Sequence, residues 1–389
     1  MPGELKATPK KEKATSALPK VGWFCTYVPE EILQAAGLQP VRLWGSTRPI
    51  ALADGCLHAN LCPYMRSCLD AALREEYADL SGVVFVNSCD AMRRLYDAWR
   101  HYTSTPFVYL LDLPRNSTKA AVSFFKHELA RFQRAVEEFY GVALTPARLQ
   151  EAIVQANEKR RLLAQLDARR RQHPVWLRGA EWFSLLRESM NDWPAARRRL
   201  RELLATPPST STSRPRLLIV GAVLESPEVL TLAEEAGADV VAEDLCFGRR
   251  YFESLVEPDA EALEALARRY LTKRPCARMA NTARRAEELL RLVETCRADG
   301  VIYYQIKFCD THQWDYPLIR RALAAQRIPV LFLESDYTPG AAGQMRTRVQ
   351  ALVEMLREQV CLPLASKCGT MGDVIHAGQL EQTKGTNRT

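Results

Sequence analysis

Two apolar runs of the same design lie far apart along the chain, and each ends in a Cys-Asp pair. The runs are Gly82-Val-Val-Phe-Val-Asn-Ser-Cys89-Asp90 and Gly300-Val-Ile-Tyr-Tyr-Gln-Ile-Lys-Phe-Cys309-Asp310. A short run of β-branched and aromatic residues predicts a buried parallel strand. In open α/β sheets, ligands bind beyond the carboxyl ends of the strands. We therefore expect two thiols, delivered by two sheets, to meet at one metal centre between two domains.

Short strands and helices alternate in the first part of the chain. The apolar pattern predicts strands at 21–25, 40–44, 83–87 and 106–111, and helices at 30–36, 63–77 and 93–100. This β-α order predicts a parallel sheet with right-handed crossovers. Residues 21–116 are thus predicted to form an N-terminal α/β domain.

From Ser117 the apolar positions recur at three- and four-residue steps, which is typical of helices. Ser117 is the expected cap of the first long helix, Gly141 its end, and Thr145-Pro146 the start of the next. The predicted helical segment is 117–205, and the Ser/Thr/Pro tract 206–215 is a linker. A second α/β domain follows at 216–376, with strands at 216–222, 239–242, 300–306 and 329–333 and helices at 227–237 and 347–359.

The fold class is therefore α/β, with two doubly wound parallel-sheet domains joined by a helical segment. Residues 1–20 are expected to form a disordered tail and 377–389 a C-terminal tail, and 1–20 lacks the apolar stretch of a secretory signal. No apolar run approaches the roughly 20 residues of a membrane span. We expect a cytoplasmic protein that does not act at a membrane.

The charge of the chain gives little further indication of its function. The 389-residue chain carries a net charge of +7, with basic runs at 169–171 and 197–201. Both runs have helical spacing and lack the interleaved aromatic residues that stack on bases. They predict a solvated helix face, or a surface for an anionic partner or substrate, rather than a nucleic-acid site.

Eleven cysteines indicate metal chemistry. The count is odd, a chain of this length needs no disulfides, and the sequence contains no C-x-x-C. A long-range set of thiols fits an iron–sulfur cluster, because soft thiolate ligands suit its iron. Cys62, at a predicted helix N-terminus that favours a thiolate, is the best third ligand beside Cys89 and Cys309.

The remaining cysteines are weaker candidates. Cys246, Cys56 and Cys276 form a second tier of ligands, and we expect Cys246 to line the same crevice as Cys309. Packing is the expectation for Cys25, Cys68, Cys296, Cys361 and Cys368. Three thiolates would leave one iron of a 4Fe–4S cluster open to substrate, whereas four would give a closed electron carrier. Sequence spacing leaves both arrangements open.

Several segments resemble the 2-hydroxyacyl-CoA dehydratase family, over roughly residues 21–360. This family includes subunits of ATP-dependent benzoyl-CoA reductases and the double-cubane cluster reductases. The segments are Gly22-Trp-Phe-Cys-Thr-Tyr-Val-Pro-Glu-Glu31, Cys62-Pro-Tyr-Met-Arg-Ser67, Val86-Asn-Ser-Cys-Asp-Ala-Met-Arg-Arg94, Asp244-Leu-Cys-Phe-Gly-Arg-Arg-Tyr251 and Ile306-Lys-Phe-Cys-Asp310.

The resemblance implies a 4Fe–4S cluster held by Cys62, Cys89 and Cys309. It also implies a separate ATP-hydrolysing iron–sulfur activator, and the chain has no G-x-x-x-x-G-K-[S/T] phosphate loop of its own. In the family's dehydratases, one electron turns the thioester carbonyl into a ketyl radical anion, and hydroxide then leaves the α-carbon. The expected protein is thus a lyase subunit in anaerobic metabolism that acts on an acyl-CoA.

Alternatives remain open under this resemblance. The extra thiols allow a double-cubane cluster of eight irons and an oxidoreductase, either benzoyl-CoA reductase-like or acting on a small molecule. A third possibility is a non-catalytic subunit that relays electrons. The partner subunit is a homologue in a heterodimer, or a second copy in a homodimer.

The polar residues near these cysteines have simpler expectations. Asp90 and Asp310 are expected to cap the helices that follow them. Arg66, Arg93, Arg94 and Arg249 could contact the activator or the CoA phosphates, or pair with nearby carboxylates.

Overall fold

The structure is a computed structural model. It describes residues 18–46, 48–172, 176–207, 214–224, 226–257, 261–337 and 342–361, with side chains from 343 to 358 in the last range. The predictions for the side chain of Cys361, for Cys368, for the C-terminal tail, for most of the N-terminal tail and for most of the linker concern residues or side chains that are not described.

The first sheet contains four parallel strands in the order β2-β1-β3-β4. Its strands are β1 (Lys20–Trp23), β2 (Gln39–Arg42), β3 (Leu80–Val86) and β4 (Phe107–Leu111). The helices between them are α1 (Glu30–Ala35), α2 (Pro63–Leu73) and α3 (Asp90–Tyr102), with a short 3₁₀ turn at Ala53–Gly55. The predicted parallel sheet is confirmed. Helix α2 ends before the predicted residue 77 because Glu75 turns the chain in a left-handed conformation, at φ 61°.

Four helices follow the first sheet. They are α4 (Lys119–Tyr140), α5 (Pro146–Arg170), α6 (Gly179–Ser189) and α7 (Trp193–Ala205). Thr118, not the predicted Ser117, caps α4, since its side chain accepts a hydrogen bond from the Ala121 amide. Gly141 ends α4 in the left-handed conformation, and Thr145 caps α5, both as predicted.

The second sheet repeats the order of the first, as β6-β5-β7-β8 with all strands parallel. Its strands are β5 (Arg216–Gly221), β6 (Asp239–Asp244), β7 (Gly300–Ile306) and β8 (Val330–Ser335). The helices of this part are α8 (Glu228–Glu235), α9 (Arg249–Phe252), α10 (Ala262–Thr272), α11 (Thr282–Cys296), α12 (Asp310–Ala325) and α13 (Ala342–Cys361).

One apolar core connects the two sheets through the helical segment. Helix α5 packs against α1 of the first part and α9 of the second, and α4 packs against α10. In both sheets the order in which successive strands are added reverses between the two central strands. These are β1 and β3 in the first sheet and β5 and β7 in the second. This is the point where doubly wound sheets bind ligands. Within the described residues, no helix is both long enough and apolar enough to cross a membrane.

Candidate functional site

A cavity lies between the carboxyl ends of the two sheets. Its walls come from strand ends, loops and the first turns of helices, including Phe24, Tyr64, Met92 and Ile306. Six thiols line it, and we call it the cysteine cavity. These are Cys25, Cys62, Cys89, Cys246, Cys276 and Cys309.

Three of the six cysteines occupy the same position relative to a helix. Cys62 is the N-cap of α2, Cys89 of α3 and Cys309 of α12, and we call them the N-cap trio. The first amides of a helix have no partner within the helix, and they carry the positive end of its dipole. Three helices therefore begin at the cysteine cavity, with a sulfur at each start.

Local backbone conformation sets these positions. Pro63 follows Cys62 at the first helical position, where a missing amide hydrogen costs nothing. Phe308 precedes Cys309 in the left-handed region at φ 58°, which is unusual for a bulky residue. The strained turn at Phe308 directs the chain from β7 into α12.

Burial makes the N-cap thiols poor acids. It raises the pKa of Cys89 to about 12 and of Cys309 to about 11. Burial also raises the pKa of Cys62 well above its ordinary value, and the neighbouring Cys309 and Cys89 add to that rise. These thiols keep their protons at neutral pH unless a metal takes the place of the proton.

The other three cysteines of the cavity lie in loops, and we call them the loop trio. Cys25 follows β1, Cys246 follows β6, and Cys276 lies between α10 and α11. Burial raises the pKa of Cys25 to about 11, with Cys276 as the next cause. Burial raises that of Cys246 too, although Arg250 opposes the rise.

The structure shows which of the predicted cysteines line the cavity and which do not. Cys246 lines the cavity with Cys309, as predicted, although β5 lies between their strands. Cys56 does not line it, whereas Cys25 does, although Cys25 also packs against the apolar core, as expected. The signal was present in the sequence, since Cys25 follows a strand end just as Cys89 and Cys309 do. Cys68 and Cys296 are buried in the core, as expected.

The donor set suits a polynuclear centre. In the part of the chain that the structure describes, no three His, Cys, Asp or Glu side chains are close enough to hold a single metal ion. The cysteines there are all free thiols. A cluster of several irons spreads its ligands more widely than one ion does, and it takes thiolates. Six thiols, apolar walls and three helix starts therefore fit an iron–sulfur cluster.

Asp90 and Asp310 are not helix caps, contrary to the prediction. The cap of α3 is Cys89, whose Sγ accepts a hydrogen bond from the Met92 amide, and Cys309 holds the equivalent position on α12. Both carboxylates lie one residue later, in the first helical turn, where their negative charge interacts favourably with the positive end of the helix dipole. Both also line the cavity.

The predicted arginines have varied surroundings. Arg249 is buried and pairs with Asp167 and Glu253, and Arg66 pairs with Asp54. Arg94 pairs with Asp97 on the exposed face of α3, and Arg93 is exposed there too. Sequence reasoning did not identify the arginines that line the cavity, Arg42 and Arg278. Nη2 of Arg278 donates to the Asn87 carbonyl at 2.7 Å.

His312 is a further residue of the cavity wall that the sequence did not indicate. Its Nδ1 lies 3.0 Å from the hydroxyl of Tyr303, which also donates to Asp315. Burial lowers the pKa of His312 well below its ordinary value, and the nearby Arg250 and Arg285 act in the same direction. The imidazole is therefore neutral at physiological pH.

The family model described as 2-hydroxyglutaryl-CoA dehydratase, D-component, matches residues 25–356. The chain is 30% identical to the "Putative dehydratase subunit YjiM" of Escherichia coli K12, with 87% of this chain and 92% of that protein covered. It is 24% identical to the (R)-phenyllactyl-CoA dehydratase beta subunit of Clostridium sporogenes, covering 86% and 91%. It is 22% identical to a subunit of the benzoyl-CoA reductase of Thauera aromatica, covering 85% and 88%.

Proposed function

The chain belongs to the family of the 2-hydroxyglutaryl-CoA dehydratase D-component, and from that premise we propose that it is the iron–sulfur subunit of a 2-hydroxyacyl-CoA dehydratase. One observation carries the proposal: the N-cap trio converges on one buried cavity between two parallel sheets. The proposed ligands of a 4Fe–4S cluster are Cys62, Cys89 and Cys309.

The net reaction removes the hydroxyl group from C2 and a hydrogen from C3 of the acyl chain, as water. When bound, the cluster would supply a single low-potential electron and an open iron that could act as a Lewis acid. This chain's own residues exclude water with apolar walls such as Phe24 and Met92. The starts of α2, α3 and α12 stabilise the negative charge of thiolates and sulfides. Neutral His312 adds no positive charge to the wall.

The proposal includes two partners. The phenyllactyl-CoA dehydratase and benzoyl-CoA reductase relatives are each named as a subunit of their enzyme, and this supports an assembly with a homologous second subunit. An ATP-hydrolysing iron–sulfur activator is the proposed electron donor, because the sequence has no phosphate loop of its own. Arg93, exposed on α3 whose first residues line the cavity, is available to either an activator or a CoA phosphate.

A second candidate function is favoured by the loop trio. Three more thiols in the same cavity would suit a double-cubane cluster, and with it a reductase. The number of irons separates the candidates, since about four indicate one cubane and about eight indicate two.

The test is the anaerobically purified protein together with an activator and a homologous subunit. Iron and acid-labile sulfide are counted first. Turnover is then measured with ATP and reductant on lactoyl-, phenyllactyl- and 2-hydroxyglutaryl-CoA, following the enoyl-CoA product. Product formation on any of them supports the dehydratase. An eight-iron protein that reduces small molecules and dehydrates none of these thioesters would replace it with the second candidate.

A further inference from the structure

A buried arginine lies against two tryptophan rings at the edge of the first sheet. Arg42, at the end of β2, is 2% exposed. Its guanidinium carbon lies 5.1 Å from the ring centre of Trp23 and 4.7 Å from that of Trp44. Such contacts with ring faces attract a cation and fix its position.

Among the described residues, Arg42 forms no ion pair, whereas the other buried arginines either pair with a carboxylate or, like Arg216 and Arg269, donate to backbone carbonyls. Arg160 pairs with Glu31 at 2.5 Å, Arg250 with Asp244 at 2.7 Å and Arg285 with Asp315 at 2.9 Å. Nε and Nη1 of Arg42 are shielded from solvent and have no hydrogen-bond partner. A buried charge is costly unless it is paired, and stacking on two rings recovers only part of that cost.

The surroundings of Arg42 indicate where its counter-charge belongs. Arg42 lines the cysteine cavity together with the loop trio. Trp23 lies two residues before Cys25, and the Trp44 ring is 5.4 Å from Phe247, next to Cys246. Trp23 therefore lies on the segment that carries Cys25, and Trp44 contacts the segment that carries Cys246.

We propose that Arg42 is the counter-charge of the iron–sulfur group in the cysteine cavity, which it faces from the side of the loop trio, held in place by Trp23 and Trp44. The inference rests on the proposed function for the presence of that group. An iron–sulfur group with thiolate ligands is anionic and becomes more negative when it is reduced. A fixed guanidinium beside it stabilises the reduced form more than the oxidised form, so Arg42 raises its reduction potential.

The test compares three variants of the full chain, purified anaerobically with their iron. Arg42→Met removes the charge but keeps an apolar side chain, and Arg42→Lys keeps a positive charge. Arg187→Met is the matched control, because Arg187 also lies over the Trp44 ring, at 5.0 Å, but does not line the cysteine cavity. Iron content, thermal unfolding and the midpoint potential by EPR-monitored titration are measured for each.

We expect Arg42→Met to keep its iron and shift the midpoint potential to more negative values. Arg42→Lys and Arg187→Met should stay close to wild type. Equal potentials in all four proteins at equal iron content would overturn the inference. If Arg42→Met loses its iron, Arg42→Lys decides: wild-type iron and potential support the charge role, whereas iron loss in both variants indicates packing and overturns it. A wild-type protein that binds no iron would instead refute the proposed function.

Discussion

Sγ of Cys89 accepts a hydrogen bond from the backbone amide of Met92, at 3.4 Å. The amide belongs to the first turn of α3, where it has no partner within the helix. A thiolate in this position gains more from the bond than a thiol does, because charge-assisted hydrogen bonds are stronger. The same contact that caps the helix therefore prepares Cys89 for a metal. Serine would cap equally well but would be a poor ligand for iron.

Serine substitutions in the N-cap trio should therefore separate folding from metal binding. We expect Cys62→Ser, Cys89→Ser and Cys309→Ser each to lower the iron content strongly, because a hydroxyl is a much weaker ligand than a thiolate for iron. Iron is counted per chain after anaerobic purification. Cys296→Ser is the control, since Cys296 is buried in a separate apolar cluster between β7 and the helices α11 and α12, and it does not line the cavity. Full iron retention in Cys89→Ser would contradict the ligand assignment.

The loop trio provides a separate test. If it holds a second cubane, Cys25→Ser, Cys246→Ser and Cys276→Ser should each reduce the iron from about eight to about four per chain. If one cubane is present, these variants should keep about four irons. Cys56→Ser should match the wild type in either case, because Cys56 lies outside the cavity.

The sheets could be predicted because their strands are nearly continuous apolar runs, with every residue of β5 and β7 buried. The cavity could be predicted in part, since Cys89 and Cys309 follow such runs. Cys25 and Arg42 were not predicted as parts of the site. Cys25 follows a strand end, as Cys89 and Cys309 do, and that signal could have been used. Arg42 joins the site because of how segments from two sheets meet, and an arginine near a strand end does not carry that information. The helices between 249 and 296 were also not predicted, although Leu289, Leu292 and Cys296 follow helical spacing.

Asp90 and Asp310 line the cavity without capping a helix, and this changes the expected result of substituting them. Asp90→Asn and Asp310→Asn should lose less than about 1 kcal/mol of stability, because only the helix-dipole interaction is weakened. Iron content should stay at the wild-type level. A large loss of turnover at normal iron and stability would show that the carboxylate takes part in the reaction.

Gly221 ends β5 where the backbone of β7 passes very close. A Cβ atom built on Gly221 would lie 1.9 Å from the Tyr304 carbonyl oxygen, and its φ of 134° disfavours other residues. We expect Gly221→Ala to lower the free energy of unfolding by roughly 3 kcal/mol, measured by urea denaturation. Gly55→Ala is the control, because a Cβ there meets nothing within 4 Å. Similar stabilities for the two variants would show that β5 and β7 can separate without cost.

The buried pair of Glu31 and Arg160 should make stability depend on pH. Glu31 accepts from Arg160 Nη2 at 2.5 Å and from the Tyr270 hydroxyl at 2.8 Å. Burial alone would raise the pKa of the Glu31 carboxyl, but Arg160 and Arg269 outweigh it and hold the pKa below its usual 4.5. A lowered pKa in the folded state means that the ionised pair stabilises the fold above the unfolded-state pKa. That contribution is lost as the pH falls through the folded-state value.

Glu31→Gln should therefore lower the free energy of unfolding by roughly 3–5 kcal/mol at pH 7, because it leaves the Arg160 charge buried and unpaired. The difference from wild type should stay constant down to about pH 5 and shrink at lower pH, where Glu31 itself becomes protonated. The free energies of unfolding of Glu31→Gln and wild type are compared with both proteins in the same metal state. The titration of the other carboxylates and any loss of iron at low pH then affect both proteins equally and cancel in the difference. Glu235→Gln is the control, since its pair with Arg346 is half exposed and such pairs contribute at most about 1 kcal/mol. A difference that does not vary between pH 7 and pH 3 would show that Glu31 is not the ionised partner of Arg160.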